Sequence, residues 1–222
     1  MDGPPSRISI RVVVPDPGRS GVDVETRILV DDRPVVAEAF TDGPAASPED
    51  LLGPDGPLHA HVVPHEVRLA VADCAEGCCG ALHVTVERRG DRVVWRDWRN
   101  PDDPDVALPT FTFDAAGYDA EIIRAGSDHT WEWHERTVAR HVRRRLAAEP
   151  ELMTRWDCHP IWTAARPGDR ERVDVSYLLS GASGDPFLQF VAVLGVPPGD
   201  PAVVADDLVR ACARTTRAGR TG

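Results

Sequence analysis

The chain has 222 residues, with 36 Asp and Glu against 25 Lys and Arg and a formal net charge of -11. That length suits one large domain or two small ones and supports a full core without disulfides or metal. The acidic balance excludes non-specific attachment to DNA, RNA or an anionic membrane, and the absence of lysine from the sequence excludes Schiff-base and lysine general-base chemistry.

Ile8 to Val14 is apolar and β-branched and predicts a first strand, ended by Pro15-Asp16-Pro17-Gly18. Val22 to Val30 predicts a second. Asp31-Asp32-Arg33-Pro34 then turns the chain into a third, Val35 to Phe40. Thr41 to Pro57 reads mostly as loop, with one helical turn that has Ser47 as N-cap and Pro48 at its first position. From Leu69 a strand-like run enters a cysteine- and glycine-rich loop, Cys74 to Gly80.

The clearest β signal follows. Leu82, Val84 and Val86 alternate with His83, Thr85 and Glu87, the period of a half-buried strand. Gly90-Asp91 suits a type II′ turn, with glycine at its first central position. Pairing outward from Arg89 and Arg92 sets Val86 opposite Trp95, Thr85 opposite Arg96 and His83 opposite Trp98. This hairpin is the predicted centre of a sheet. The turn-rich connection 99–105 separates a β-rich part, about 1–108, from a mixed α/β part, about 109–214, within a single unit spanning 1–222.

Asp114 and Phe113 predict a capped and stapled helix with Tyr118, Ile122 and Ala125 on its apolar stripe and Gly126 as its stop. A second helix follows directly, capped by Ser127, Asp128 or Thr130 and running to about Ala148. Trp131, Val138, Val142 and Leu146 share its apolar face. Arg136, Arg140, Arg143 and Arg144 share the opposite face, which is expected to be exposed. Ile161 to Ala165, the alternating Val173, Val175 and Tyr177, and Phe187 to Leu194 predict three more strands. The last is nearly all apolar and reads as a central strand covered on both faces. Asp200-Pro201 starts a final helix that buries Val204, Leu208 and Cys212, with a frayed tail at 215–222. The expected fold is α+β: mostly antiparallel sheets, two consecutive central helices and a C-terminal helix.

No secretory pattern opens the sequence at Met1-Asp2-Gly3-Pro4-Pro5, and no apolar run nears the ~20 residues that cross a bilayer. The expected setting is cytoplasmic, with the five cysteines mostly reduced. Cys74 to Gly80, Val93-Val94-Trp95, Tyr118 to Glu121, Trp131-Glu132-Trp133 and Arg136 to Arg140 together resemble a group of uncharacterised proteins from high-GC actinobacteria. The resemblance covers much of the chain after Leu69. It implies a folded bacterial protein and carries no catalytic residue over.

Two clusters are candidates for chemistry. Cys74, Cys78 and Cys79 offer thiols from one loop, and His83, or His59, His61 or His65, offers a further zinc ligand. The spacing is not that of paired zinc knuckles, and a tight turn with inward-packed cysteines is the simpler reading. His134 and His141, with Glu132 close in sequence, lie along one edge of the arginine helix and suit proton transfer. The simpler reading there is a pair of boundary histidines, because no serine elbow, phosphate-binding glycine loop or metalloprotease motif accompanies them. Cys158 and Cys212 read as packing residues.

The expectation is a non-enzymatic interaction or binding protein with a protein partner still to be identified, no nucleic-acid or membrane role, and no cofactor. The alternative is a metal-dependent enzyme or zinc-stabilised module built on the Cys74–Cys79 loop and a histidine.

Overall fold

A computed structural model describes residues 4–16, 23–72, 79–103, 106, 108–154, 157–179 and 188–218. The fold is α+β, and its strands pair antiparallel in three sheets. The described residues form two compact units, divided between Trp131 and Glu132 and not at the 99–105 connection. No helix among them is long and apolar enough to cross a membrane.

The first unit holds a two-stranded sheet, β1 (Ile8–Val13) and β2 (Glu25–Val30), and a four-stranded sheet. The strands of the larger sheet run in chain order: β3 (His65–Val71), β4 (Ala81–Arg89), β5 (Arg92–Arg99) and β6 (Phe111–Asp114). Two short helices, α1 (Val35–Ala39) and α2 (Pro48–Leu51), follow β2, and α3 (Ala115–Ser127) follows β6. Ser47 caps α2, its hydroxyl accepting from the Asp50 N–H, and Pro48 opens the helix as expected.

The β4–β5 hairpin pairs Val86 with Trp95 and Thr85 with Arg96, as the alternation predicts. Gly90 turns at φ 61°, and Asp91 is not among the residues of positive φ, as a type II′ turn requires. Beyond Thr85 the register slips, so His83 faces Arg99 and not Trp98. The slip coincides with Asp97 at φ 52°, a left-handed residue of the kind that accompanies a bulge.

Trp95 is fully buried and meets Phe113 and Tyr118 edge to face, at ring separations of 5.5 and 6.2 Å. Its indole N–H donates to the Tyr118 hydroxyl at 3.2 Å, and that hydroxyl donates to the Leu58 carbonyl at 2.8 Å. Burial pushes the Tyr118 phenol well above its ordinary range, so it stays protonated and donating. One chain of hydrogen bonds thus ties β5, α3 and the 52–64 loop while satisfying the polar tips of two buried aromatics.

Val35 to Phe40 reads as a strand but forms the single-turn helix α1. Pro34 precedes it, and Val35 and Val36 are both buried in the first core, which adjacent residues of a strand, pointing to opposite faces, do not achieve on one side of a sheet. In α3, Asp114 accepts from the Gly117 N–H at 2.9 Å, and Tyr118, Ile122 and Ala125 are buried, as the sequence pattern predicts. Gly126 does not stop the helix, which runs on to Ser127. It lets α3 approach the Leu52 carbonyl, whose oxygen would stand 2.6 Å from an added Cβ.

The second unit holds α4 (His134–Ala148), α5 (Glu151–Thr154), β7 (Cys158–Ala164), β8 (Arg172–Leu179), β9 (Leu188–Gly195) and α6 (Pro201–Ala218). Its sheet has the order β7-β8-β9. Val138, Val142 and Leu146 of α4 pack with Val173 and Val175 of β8 and with Val204, Leu208 and Cys212 of α6, so the helices cover one face of the sheet. Helix α4 begins at His134, not at 127–130. The Asp128 carboxylate instead accepts from the Thr130 N–H and hydroxyl, at 3.0 and 2.6 Å, making a turn that keeps Trp131 off the helix. The last helix continues past Thr215, where fraying is expected, to Ala218.

Strand β9 is the largest departure from expectation. Among the described residues it is not a central strand covered on both faces but the edge of its sheet, with Leu188, Phe190, Val191 and Val193 exposed and Ala192 and Leu194 partly buried against the second core.

The close approach at Gly126 makes a sharp test. Helix propensity alone favours Gly126→Ala by about 1 kcal/mol. The contact with the Leu52 backbone reverses the sign, and a net loss of roughly 1–3 kcal/mol is expected. Urea unfolding of the two proteins checks it, and a stabilised Ala variant would contradict the packing described.

Candidate interaction surface

Of the candidate metal ligands, Cys74 and Cys78 lie outside the described residues. Cys79 is half-buried and packs against the first core. His83 is buried on β4, its Nδ1 3.3 Å from Glu66 Oε2, and Arg99 grips the same carboxylate at 2.9 and 2.8 Å. The Arg99 hydrogen bond, with help from the His83 and Arg99 charges, outweighs desolvation and holds the Glu66 carboxyl below its ordinary range. His65 donates to the Pro57 carbonyl at 2.7 Å, and its ring lies 5.3 Å from that of His61. Among the described residues no three His, Cys, Asp or Glu side chains gather to hold a metal ion.

Along α4 the expected separation of faces fails at the arginines. Arg136 is only 4% exposed. Its guanidinium donates to the Ala165 carbonyl at 3.0 Å and lies 5.6 Å from the Trp133 ring centre. Arg170 approaches the same ring at 5.5 Å. Arg140 donates from Nε to both oxygens of Glu132, at 2.9 and 3.0 Å, and the Glu132 side chain is 2% exposed. Arg143 is half-buried, and Arg144 alone of the four is exposed. The reason is length: an arginine stem packs as hydrocarbon while its head finds a carbonyl, a ring or a carboxylate.

This arrangement brings Glu132, Arg140 and His141 together and keeps His134 apart. His134 donates to the Pro197 carbonyl at 3.2 Å. Burial, then the charges of Arg140 and Arg144, lower the His141 pKa against the opposing pull of Glu132 and Asp200. His141 is therefore neutral at pH 7, and Glu132 is committed to Arg140. Cys158 and Cys212 are buried as expected, and burial pushes the Cys212 thiol to about 11, which makes it unreactive.

The feature the sequence hid is the exposed strand. Leu188 and Phe190, 53% and 42% exposed, lie on the helix side of β9, where Phe190 stacks on Tyr177 at 5.7 Å. Val191 and Val193, 48% and 58% exposed, lie on the opposite, outer side. On that outer face Trp162, Ser176 and Val191 stand in line across the three strands, followed by Ala164, Asp174 and Val193. Ile161 and Trp162 are also exposed at the β7 end. Ser176 and Asp174 are buried beneath this row, and Gln189 donates to the Ser176 hydroxyl at 2.9 Å. A nearly all-apolar run, broken only by Gln189, gives the same pattern whether it lies inside a sheet or at its edge, so no signal in the sequence distinguishes the two.

Comparisons with protein-family models, curated proteins and solved structures give no match to this chain.

Two outcomes follow from the α4 flank. Arg140→Ala leaves the Glu132 carboxylate buried without its partner and should cost about 3–5 kcal/mol, as for a broken buried pair. The double change with Glu132→Ala should recover part of that loss in a denaturant melt. His141 should titrate below 6.5 when its imidazole resonances are followed by NMR. Because its folded pKa is the lower one, its contribution to stability is complete above pH 6.5 and is lost as pH falls through the folded value, a slope that His141→Gln should flatten.

Proposed function

We propose that this chain is a protein-interaction module whose contact element is β9, the edge strand that exposes Leu188, Phe190, Val191 and Val193. The observation that carries this reading is a single strand exposing large apolar side chains on both of its faces. Scattered apolar residues on a surface are ordinary, but a contiguous exposed set marks a binding site. Fully burying one such side chain stabilises by roughly 1.5–3 kcal/mol, so covering four half-exposed ones offers several kcal/mol towards a complex.

The chemistry of the strand favours binding over catalysis. Residues 188–195 contain no titratable side chain, and the nearest carboxylate on the outer face, Asp174, is buried and faces Arg172 Nε at 3.4 Å. The strand also carries no arginine, which fits a protein partner better than a nucleic acid.

A photo-crosslinking residue at Val193 tests the reading in the native host, with one at Ile123, an exposed apolar position on α3, as control. A discrete protein adduct from position 193 and none from 123 is the expected result. Equal, diffuse labelling at both positions would reject β9 as a contact element.

A further inference from the structure

A sheet edge displays a row of backbone donors and acceptors, and proteins usually block it. Among the described residues the other edge strands carry such a feature. At β3, Ala46 donates to the Leu69 carbonyl at 2.8 Å; at β6, Ser6 donates to the Thr112 carbonyl at 2.7 Å. At β2, the Thr26 N–H donates to the Ala46 carbonyl at 3.0 Å. At β1, Glu121 accepts from the Ile10 N–H at 2.6 Å and Arg124 donates to the Ile10 carbonyl at 2.7 Å, so two side chains imitate a neighbouring strand. At β7, Pro160 removes a donor and the register breaks between Pro160 and Trp162. Strand β9 has no proline, no charge and no register break along its eight residues.

We infer that the occupant of this edge is a second copy of the chain, joined β9 to β9 in antiparallel fashion to make one six-stranded sheet. This rests on β9 being a contact element. Exposure on both faces of the strand points to its edge, since packing of a partner onto the outer face would leave Leu188 and Phe190 uncovered. Charge points to self-pairing. The chain carries a net charge of -11, yet the strand is neutral, so two copies meet there without like charges opposite each other.

Geometry fixes the rest. A two-fold axis relating antiparallel edge strands stands perpendicular to the sheet and keeps each face on its own side. The two longest overlaps are centred on Val191 and on Ala192. The first sets Val191 against its own symmetry mate, and the second sets Val191 against Val193 of the other copy. The blocked β7 edge ends assembly at two copies.

The test is analytical ultracentrifugation over a range of concentrations, on the full chain and on two double variants, Val191→Lys with Val193→Lys and Val191→Glu with Val193→Glu. Both positions are half-exposed or more, and a thermal melt confirms that each variant is folded. The wild type should shift to twice the monomer mass as its concentration rises. Each variant alone should stay monomeric, because like charges then face each other in either register. An equimolar mixture of the two should restore the double mass. A wild type that remains monomeric at all concentrations, variants that dimerise as it does, or a mixture that fails to associate would overturn the inference. If Val193 crosslinks only to a different protein while the wild type is monomeric, self-pairing falls and the interaction reading stands. If it crosslinks to nothing and the wild type is monomeric, both fall.

Discussion

An antiparallel sheet must end somewhere, and the backbone groups on its outer strands need partners. In the first unit that requirement organises the fold. Ala46 bonds to β2 through its carbonyl and to β3 through its N–H, and Ser6, just before β1, bonds to β6. The hydrogen bonds therefore run from β1 to β2, through Ala46 to β3, across β4 and β5 to β6, and back to the segment that begins β1. Closure of this kind removes edges, as it does in barrels. It also gives Ala46, within the Gly-, Pro- and Ala-rich stretch 41–57, a backbone partner on each side. Among its described residues the second unit pairs three strands, covers one face with helices and shows no such closure.

Charge shows the same economy inside the second unit. Arg136 and Arg140 spend their guanidinium groups on Ala165, Trp133 and Glu132, and so join the start of α4 to the end of β7. A buried pair such as Glu132–Arg140 adds little net stability compared with apolar residues of similar volume, because both ions lose water. What it supplies is specificity, since breaking one partner is costly and alternative packings would leave a charge unpaired. The entry to α4 lacks a side-chain N-cap, and this ion pair together with the Trp133–Arg136 contact is what fixes it.

The two units differ in how readily they can be read from sequence. Period and turn chemistry were enough for the β4–β5 hairpin, for the Asp114 cap and for the stripe of Tyr118, Ile122 and Ala125, because each is decided by residues close in sequence. The slip at His83 was not legible, since the left-handed Asp97 that accompanies it looks like any other strand aspartate. Val35 and Val36 are β-branched and read as strand, but adjacent strand residues point to opposite faces, and the helical turn buries both in one core. The arginines of α4 were misplaced because helical periodicity sorts residues by polarity, whereas a long side chain can reach a carboxylate or a carbonyl inside. Of the candidate site residues His134, His141 and Glu132, the structure places Glu132 near His141 and His134 at the Pro197 carbonyl. The structure commits Glu132 to Arg140 and leaves His141 beside them as a neutral neighbour.

The misreading of β9 is the informative one. A nearly all-apolar strand is what a buried central position selects, and an edge exposed to water usually selects against it. Here the strand has the composition of an interior position and the location of an edge. Composition and location agree only if another strand stands beside β9. In the first unit the described sheet edges are stitched by backbone or side chains and β7 carries Pro160 and a register break, whereas β9 carries none of these along its length. Net charge sets how such a neighbour arrives: at physiological salt the repulsion between acidic chains fades beyond about 8 Å. Repulsion of that range slows approach without weakening short-range pairing along an uncharged strand. An acidic body with a neutral apolar edge is thereby kept from indiscriminate aggregation while one geometry of contact remains open to it.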